Sequence, residues 1–272
     1  MRRERVESES RADVESGLAG ALLSLLALRE ATDDDAFLAT ARACGARLLA
    51  LQTTTGASAA AWPSDDGRVH TGFAHGASGI ALALGRLHCA LPEARLATAI
   101  AKALAHARGS YSPAERNWPL QRRQAGTLPM VAWCHGAPGI ALSRVLLPGE
   151  LLDAAAREDL TIAIETTATA PPGRFDHLCC GRLGRADILL TAGRRLRNQS
   201  LEHAGHALAV PVAERVLALG RLGARTAGFE WRVTLPGFFE GLAGIGYTLL
   251  RFTAPARLPS ILAFELPAAD QA

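Results

Sequence analysis

The chain has 272 residues, 49% of them hydrophobic, and its 29 basic and 26 acidic residues give a formal net charge of +3. There is enough apolar side chain for a large core, and the dispersed charge offers no basic block for nucleic acid or an anionic membrane. Five cysteines, odd in number and sparse, make no disulfide framework; thiols that cluster in such a chain point to metal or catalysis.

The first sixteen residues, MRRERVESESRADVES, mix acids with arginines and lack the purely basic start and small-residue cleavage pattern of a secretion signal. The apolar run that follows, LAGALLSLLAL at 18–28, falls short of the roughly 20 residues that span a bilayer. No transmembrane segment is expected, and the protein is read as cytoplasmic. From Gly17 onward one pattern repeats. A G-x-x-G element opens an apolar helical stretch five times, at Gly17, Gly76, Gly136, Gly181 and Gly241, with spacings of 59, 60, 45 and 60 residues. Between the repeats lie segments such as DDAFLATARACGARLLALQ and EARLATAIAKALAHARGS, whose apolar positions recur at helical spacing. The Gly-opened helices are apolar almost all round and belong inside; the striped ones belong outside, with one face in water. Loops are expected at 53–72, 112–129, 171–175 and 235–237, and strand signals are thin. Helix pairs in series predict an all-α solenoid or a closed α/α toroid.

The G-x-x-G starts let the backbone turn sharply at a crowded mouth and are expected to leave free N–H groups pointing at the centre. The residues just before each first glycine then share that mouth: Ser16, His75, Cys134 with His135, Cys179 with Cys180, and Glu240. Cys134, Cys179 and Cys180 give three thiolates, which leave a tetrahedral zinc one open position, the pattern of a catalytic site. Such a site would activate a fourth thiol or a water. Cys44 and Cys89, inside helical stretches, read as buried small hydrophobes. His70, His88, His106, His203 and His206 read as solvated or structural. The pair Arg182 and Arg185 reads as rim charge, and Trp118 and Trp133 as packing.

Six ordered stretches carry a family resemblance: GFAHGASGIALAL (72–84), NWPLQR (117–122), WCHGAPGIALSR (133–144), HLCCGRLGRADILL (177–190), PGFFEGLAGIGYTLLR (236–251) and LPSILAFELP (258–267). They resemble the lanthionine synthetase C-like (LanC) cyclases, most of all the C-terminal cyclase domain of class II lanthipeptide synthetases (LanM). The resemblance implies a charged N-terminal segment at 1–12 and a cyclase domain at 13–272, without the usual dehydratase domain. It implies an incomplete α/α toroid with five of the family's seven helix pairs, the third to the seventh, an arc that closes the same barrel only with a partner or by distortion. The activity it implies is addition of a peptide cysteine to a dehydroalanine or dehydrobutyrine of the same peptide. Zn2+ would be held by Cys134, Cys179 and Cys180; His75 would do acid/base work, with His135 and His177 in support. The family's further catalytic aspartate is assigned no counterpart, and Asp13 is not taken for it. Expected partners are a dehydrated precursor peptide and, alongside it, a separately encoded dehydratase or the two missing helix pairs. The competing function is a zinc-stabilised peptide-binding scaffold without turnover. A glycosidase on an α/α barrel is disfavoured, because no suitably spaced pair of inward carboxylates is evident.

Overall fold

The computed structural model describes residues 3–65, 67–120, 129–219 and 235–267. Within them run ten α-helices: α1 (Arg3–Ser8), α2 (Leu18–Thr32), α3 (Asp35–Leu51), α4 (Ala77–Ala90), α5 (Ala94–Gly109), α6 (Ala137–Leu146), α7 (Ala154–Thr169), α8 (Arg182–Leu196), α9 (Gln199–Leu219) and α10 (Leu242–Thr253). Each of the five G-x-x-G elements opens one of the even-numbered helices from α2 to α10. Those five pack side by side as an inner layer, and α3, α5, α7 and α9 each lie against the inner helix that precedes them. The architecture is that of an α/α toroid. Among the described residues the fifth pair is represented by its inner helix alone, because α10 is followed by turns.

Burial separates the layers as the hydrophobic pattern requires. α8 is buried without a break from Leu183 to Gly193, and α6 from Ala137 to Arg144. α5 buries only one stripe, Leu96, Ala99, Ile100, Ala103, Leu104 and Ala107, and gives its other face to water. At the two ends of the inner series the covering thins: Leu28 on α2 is 45% exposed and Leu250 on α10 is 61% exposed. Two outer helices start on aspartate caps, Asp34 accepting from the N–H of Ala36 and Asp153 from that of Ala156, each satisfying a donor that a helix start leaves free. α1 is tied to the body through Val6, buried against α3, and through Arg47, which donates to the carbonyl of Glu9. Among the described residues no helix is long and apolar enough to cross a membrane.

Three features depart from expectation. The segment at 53–72 contains a short antiparallel hairpin, β1 (Thr53–Gly56) with β2 (Ala59–Ala61); a threonine run turned back through Gly56 suits a pleated pair packed on α5. Arg185 is not a rim charge. It is 3% exposed and donates to the carbonyls of Thr167, Ala170 and Pro171, supplying the partners that the C-terminal end of α7 lacks. Cys89, read as buried, is exposed, while Cys44 is buried as expected. Of the loop at 112–129, residues 121–128 lie outside the described residues, and with them Gln121 and Arg122 of the NWPLQR stretch.

The chain's last described stretch is a clasp across the inner helices. Arg86 of α4 donates to the carbonyls of Ala263 and Phe264, and Tyr247 of α10 to that of Pro259. Asp187 of α8 accepts from Ser260 Oγ at 2.5 Å and pairs with Arg251 of α10 at 2.8 Å, both partners 2% exposed. A buried pair of this kind contributes little by itself, but removing one partner strands a charge in the core.

Candidate functional site

The mouth of the helix series is built from one local device used repeatedly. Before α2, α4, α8 and α10 the chain loops back, so that the first helical N–H donates to a carbonyl seven residues earlier: Leu18 to Arg11, Ala77 to His70, Arg182 to Phe175, Leu242 to Leu235. The following N–H repeats the bond one residue on, as in Ser78 to Thr71. At α6 the side chain of Asn117 substitutes, its Oδ1 accepting from Ala137 N–H at 2.8 Å. The free N–H groups expected at the centre are therefore taken by the chain's own carbonyls, and the helix starts are not an anion site. The second glycine of each element lies against the returning strand; a Cβ at Gly184 would collide with the carbonyl of Leu178, and one at Gly79 with that of Phe73. Side chains in the returning loop are held at the mouth by this geometry.

Cys134, Cys179 and Cys180 meet there. Their sulfurs lie within 4.8 Å of one another, with Cys180 at 3.3 Å from Cys134 and 3.4 Å from Cys179. Sulfurs around a tetrahedral zinc at about 2.3 Å stand roughly 3.8 Å apart, so small side-chain rotations fit the set to that ion. Cys134 is buried, whereas Cys179 and Cys180 are partly exposed, so the cluster is open on their side. Contact with Cys134, then with Cys179, pulls the Cys180 thiol down to about 3, with His177 and His135 adding to the effect. The same contacts push the Cys134 thiol up. Three sulfurs this close together suit a soft cation. The backbone holds them there: the N–H groups of Leu178 and Cys179 both donate to the carbonyl of Phe239, from the segment that enters α10.

His75 stands beside them on the preceding turn. Its Nδ1 is 3.2 Å from Asp13 Oδ2, and its Nε2 is 3.3 Å from Glu15 Oε2. The hydrogen bond to Asp13 raises its pKa above the ordinary value against the cost of burial, and the charges of Glu15 and Cys180 add to the rise. Burial pushes Asp13 up, but bonds from His75 and Ser16 outweigh it and leave the carboxyl below its usual range. The ring of His135 stacks on that of His75 at 5.2 Å, and the ring of His70 meets His135 edge-on at 5.5 Å. Burial, then repulsion from these two rings, drops His135 to about 4, so it packs as a neutral ring. His70, expected to be solvated or structural, thus belongs to this cluster.

His177 is 1% exposed, and its Nδ1 accepts from the N–H of Cys180 at 3.4 Å. It shapes the ligand turn instead of facing the cavity. Glu240 lines the same cavity as Cys179 and adds to the rise of that thiol. The cavity, about 740 Å³, runs along α2 from Gly17 to Ala31 between Trp133, Phe239 and the clasp residues Ile261, Phe264 and Leu266. Trp133 does more than pack: it stacks on Phe239 at 5.2 Å and forms part of this wall. Asp13 and Glu15 are the site residues that no motif singles out. The only signal in the sequence is position, since both fall in the loop before a first glycine, where the cysteines also fall.

A family model described as lanthionine synthetase C-like protein matches residues 1–263. The solved structure of nisin cyclase superposes on the chain with a TM-score of 0.72 at 19% sequence identity, covering 94% of this chain and 66% of that one. The chain thus spans just under two thirds of the length of that cyclase, and the likeness is one of fold. No curated protein matches it significantly by sequence. With the repeated turns, the three converging cysteines and a family match along nearly the whole length, the chain belongs to the lanthionine synthetase C-like family.

Proposed function

We propose that the protein is a zinc-dependent lanthipeptide cyclase that joins a peptide cysteine to a dehydroalanine or dehydrobutyrine of the same peptide. The observation that carries this reading is the shared mouth: three convergent sulfurs with one open side, and an imidazole on the neighbouring turn. Cys134, Cys179 and Cys180 would hold Zn2+, which when bound supplies Lewis acidity that keeps a substrate thiol ionised near neutral pH. Addition forms a sulfur–carbon bond at the β-carbon of the dehydro residue and breaks its carbon–carbon π bond. The electron pair passes to the α-carbon and must be met by a proton. His75, charged beside Asp13, delivers that proton, and its positive charge favours the enolate that precedes transfer. Asp13 holds Nδ1, which fixes the ring orientation and keeps the acid loaded. His135 packs against the ring as a neutral neighbour, and His177 supports the ligand turn through Cys180.

In this reading the precursor peptide arrives already dehydrated, from a dehydratase encoded apart from residues 1–272, and the reaction takes place in the cytoplasm. A second reading, a zinc-binding scaffold that holds peptide without turnover, is favoured by one observation: the end helices expose Leu28 and Leu250, as an arc awaiting a partner would. Incubation of the zinc-loaded protein with a dehydrated precursor peptide, followed by free-thiol counting, tests both. Thiol loss well above the uncatalysed rate is expected. A zinc-loaded protein that leaves thiol loss at background would favour the scaffold instead.

A further inference from the structure

The two carboxylates that bracket His75 are held very differently. Asp13 is 22% exposed, and its second oxygen accepts from both the N–H and the Oγ of Ser16, at 2.9 and 3.1 Å, so it is locked in place. Glu15 is 60% exposed, and its carboxylate pairs with Nε2 of His75 from an otherwise open position. Its backbone is nonetheless fixed: the N–H groups of Val14 and Glu15 both donate to the carbonyl of Ala74, the residue before the histidine. A largely exposed acid thus hangs from a fixed backbone over the imidazole nitrogen that Asp13 leaves free.

Its position is equally specific. Glu15 lines the 740 Å³ apolar groove that ends at Cys179, and it also lines a smaller polar cavity that contains Asp13, His70, His75 and His135. His75 lies in the second cavity and not in the first. Glu15 therefore stands in the partition between the place where a sulfur would be activated and the group that would supply the proton. A peptide in the groove with its dehydro residue within reach of Nε2 must occupy the space the Glu15 carboxylate now fills.

We propose that Glu15 is a displaceable cover on His75: it pairs with Nε2 in the ligand-free protein and gives that nitrogen up when a peptide enters the groove. This rests on the cyclase reading for the identity of the peptide. Glu15 is a positioning residue; it transfers no proton itself. The contact keeps the imidazole charged and shielded from water until substrate arrives, so that proton delivery is coupled to occupancy of the groove. The groups facing His75 are Asp13 and Glu15 from the loop before α2, His135 from the Cys134 turn and, at longer range, Cys180; of the two carboxylates only Glu15 is largely exposed and has solvent to move into.

The test uses zinc-loaded full-length protein with ring-labelled histidine, the variants Glu15→Gln and Glu15→Ala, and a dehydrated peptide whose cysteine is replaced by serine so that it cannot react. In the ligand-free state both variants should lower the His75 titration midpoint by about one pH unit, as loss of an adjacent opposite charge does. Saturation with the peptide should abolish the difference between wild type and Glu15→Ala. A variant midpoint equal to wild type overturns the proposal, and so does a difference that persists with peptide bound or a His75 signal indifferent to the peptide. Thiol counting with the cysteine-containing peptide separates the two readings. If thiols are consumed while the midpoints fail to behave as stated, only the cover is wrong. If the midpoints behave and thiols are not consumed, the cover stands on a peptide-binding groove and the cyclase reading falls.

Discussion

The two halves of the mouth use the same turn and differ in where their chemistry comes from. In the sulfur half, Cys134, Cys179 and Cys180 sit within two residues of a first glycine, and the donor set is complete from two adjacent turns. In the imidazole half, His75 occupies the same place in its own turn, but its charged partners arrive from 62 and 60 residues away, delivered by the docking of residues 13–15 on Ala74. Local geometry therefore settles where a side chain stands, whereas long-range docking settles its protonation. The halves should fail separately when damaged: one losing metal, the other losing control of a proton.

The largest effect should come from the sulfur half. Cys180→Ser leaves two thiols and a weakly basic hydroxyl, so metal content should fall from about one ion per chain to near zero and thiol consumption to background, with helical circular dichroism retained. Retained stoichiometric zinc would mean that a ligand outside the cysteine cluster completes the site. Next comes the device both halves share. At Gly184 a Cβ has no room beside the Leu178 carbonyl, so Gly184→Val should cost about 3 kcal/mol or more in denaturant unfolding, because backbone must move. It should weaken metal binding and turnover together and, unlike Cys180→Ser, lower the stability of the fold as well.

His75→Asn should be smaller and selective. A general acid is typically worth about 10²- to 10⁴-fold, so kcat should drop in that range while zinc stoichiometry stays unchanged; loss of zinc along with rate would merge the two halves. His177→Ala should do the converse on a lesser scale. Removing the acceptor for the Cys180 N–H disturbs a ligand only through its backbone, and such outer contacts are worth about 10- to 100-fold in metal affinity. Competition with a chromogenic chelator measures this, and the His75 titration should not move.

How far each half can be read in the sequence follows the same division. Cys134, Cys179, Cys180 and His75 are legible because each lies one or two residues before the glycine that opens a recurring G-x-x-G element, and the alternation of wholly apolar and striped helices gives the layers. Asp13 is not legible: its partner lies 62 residues on, and no local pattern distinguishes it from the other acids of a charged N-terminal stretch. Arg185 is misread for a related reason. An arginine beside a site suggests rim charge until tertiary packing places the carbonyls of Thr167, Ala170 and Pro171 around it. The clasp at 258–267 is recognisable as a motif, but its function of locking α4, α8 and α10 through Arg86, Asp187 and Tyr247 depends on side chains distant in the chain. The hairpin at 53–61 is hidden by its brevity, since β1 and β2 have only four and three residues.

The smallest and most informative change is Asp13→Asn. The hydrogen bond and charge of Asp13 raise His75, so the stabilisation is complete below the unfolded histidine value of about 6.5 and disappears as pH rises through the folded one. Asp13 itself is lowered, so its share is present above the unfolded aspartate value of about 3.9 and lost as pH falls through the folded one. The pair is thus fully charged between roughly pH 4 and 6.5, and there the substitution should cost about 1 kcal/mol, a typical value for a partly buried charged hydrogen bond. The gap in urea stability between wild type and variant should narrow as the pH rises through the raised folded-state value of His75 in the wild type. A gap of constant size across that range would mean that Asp13 acts through its bonds to Ser16 and the loop, and that His75 is raised by its other neighbours, Glu15 and Cys180.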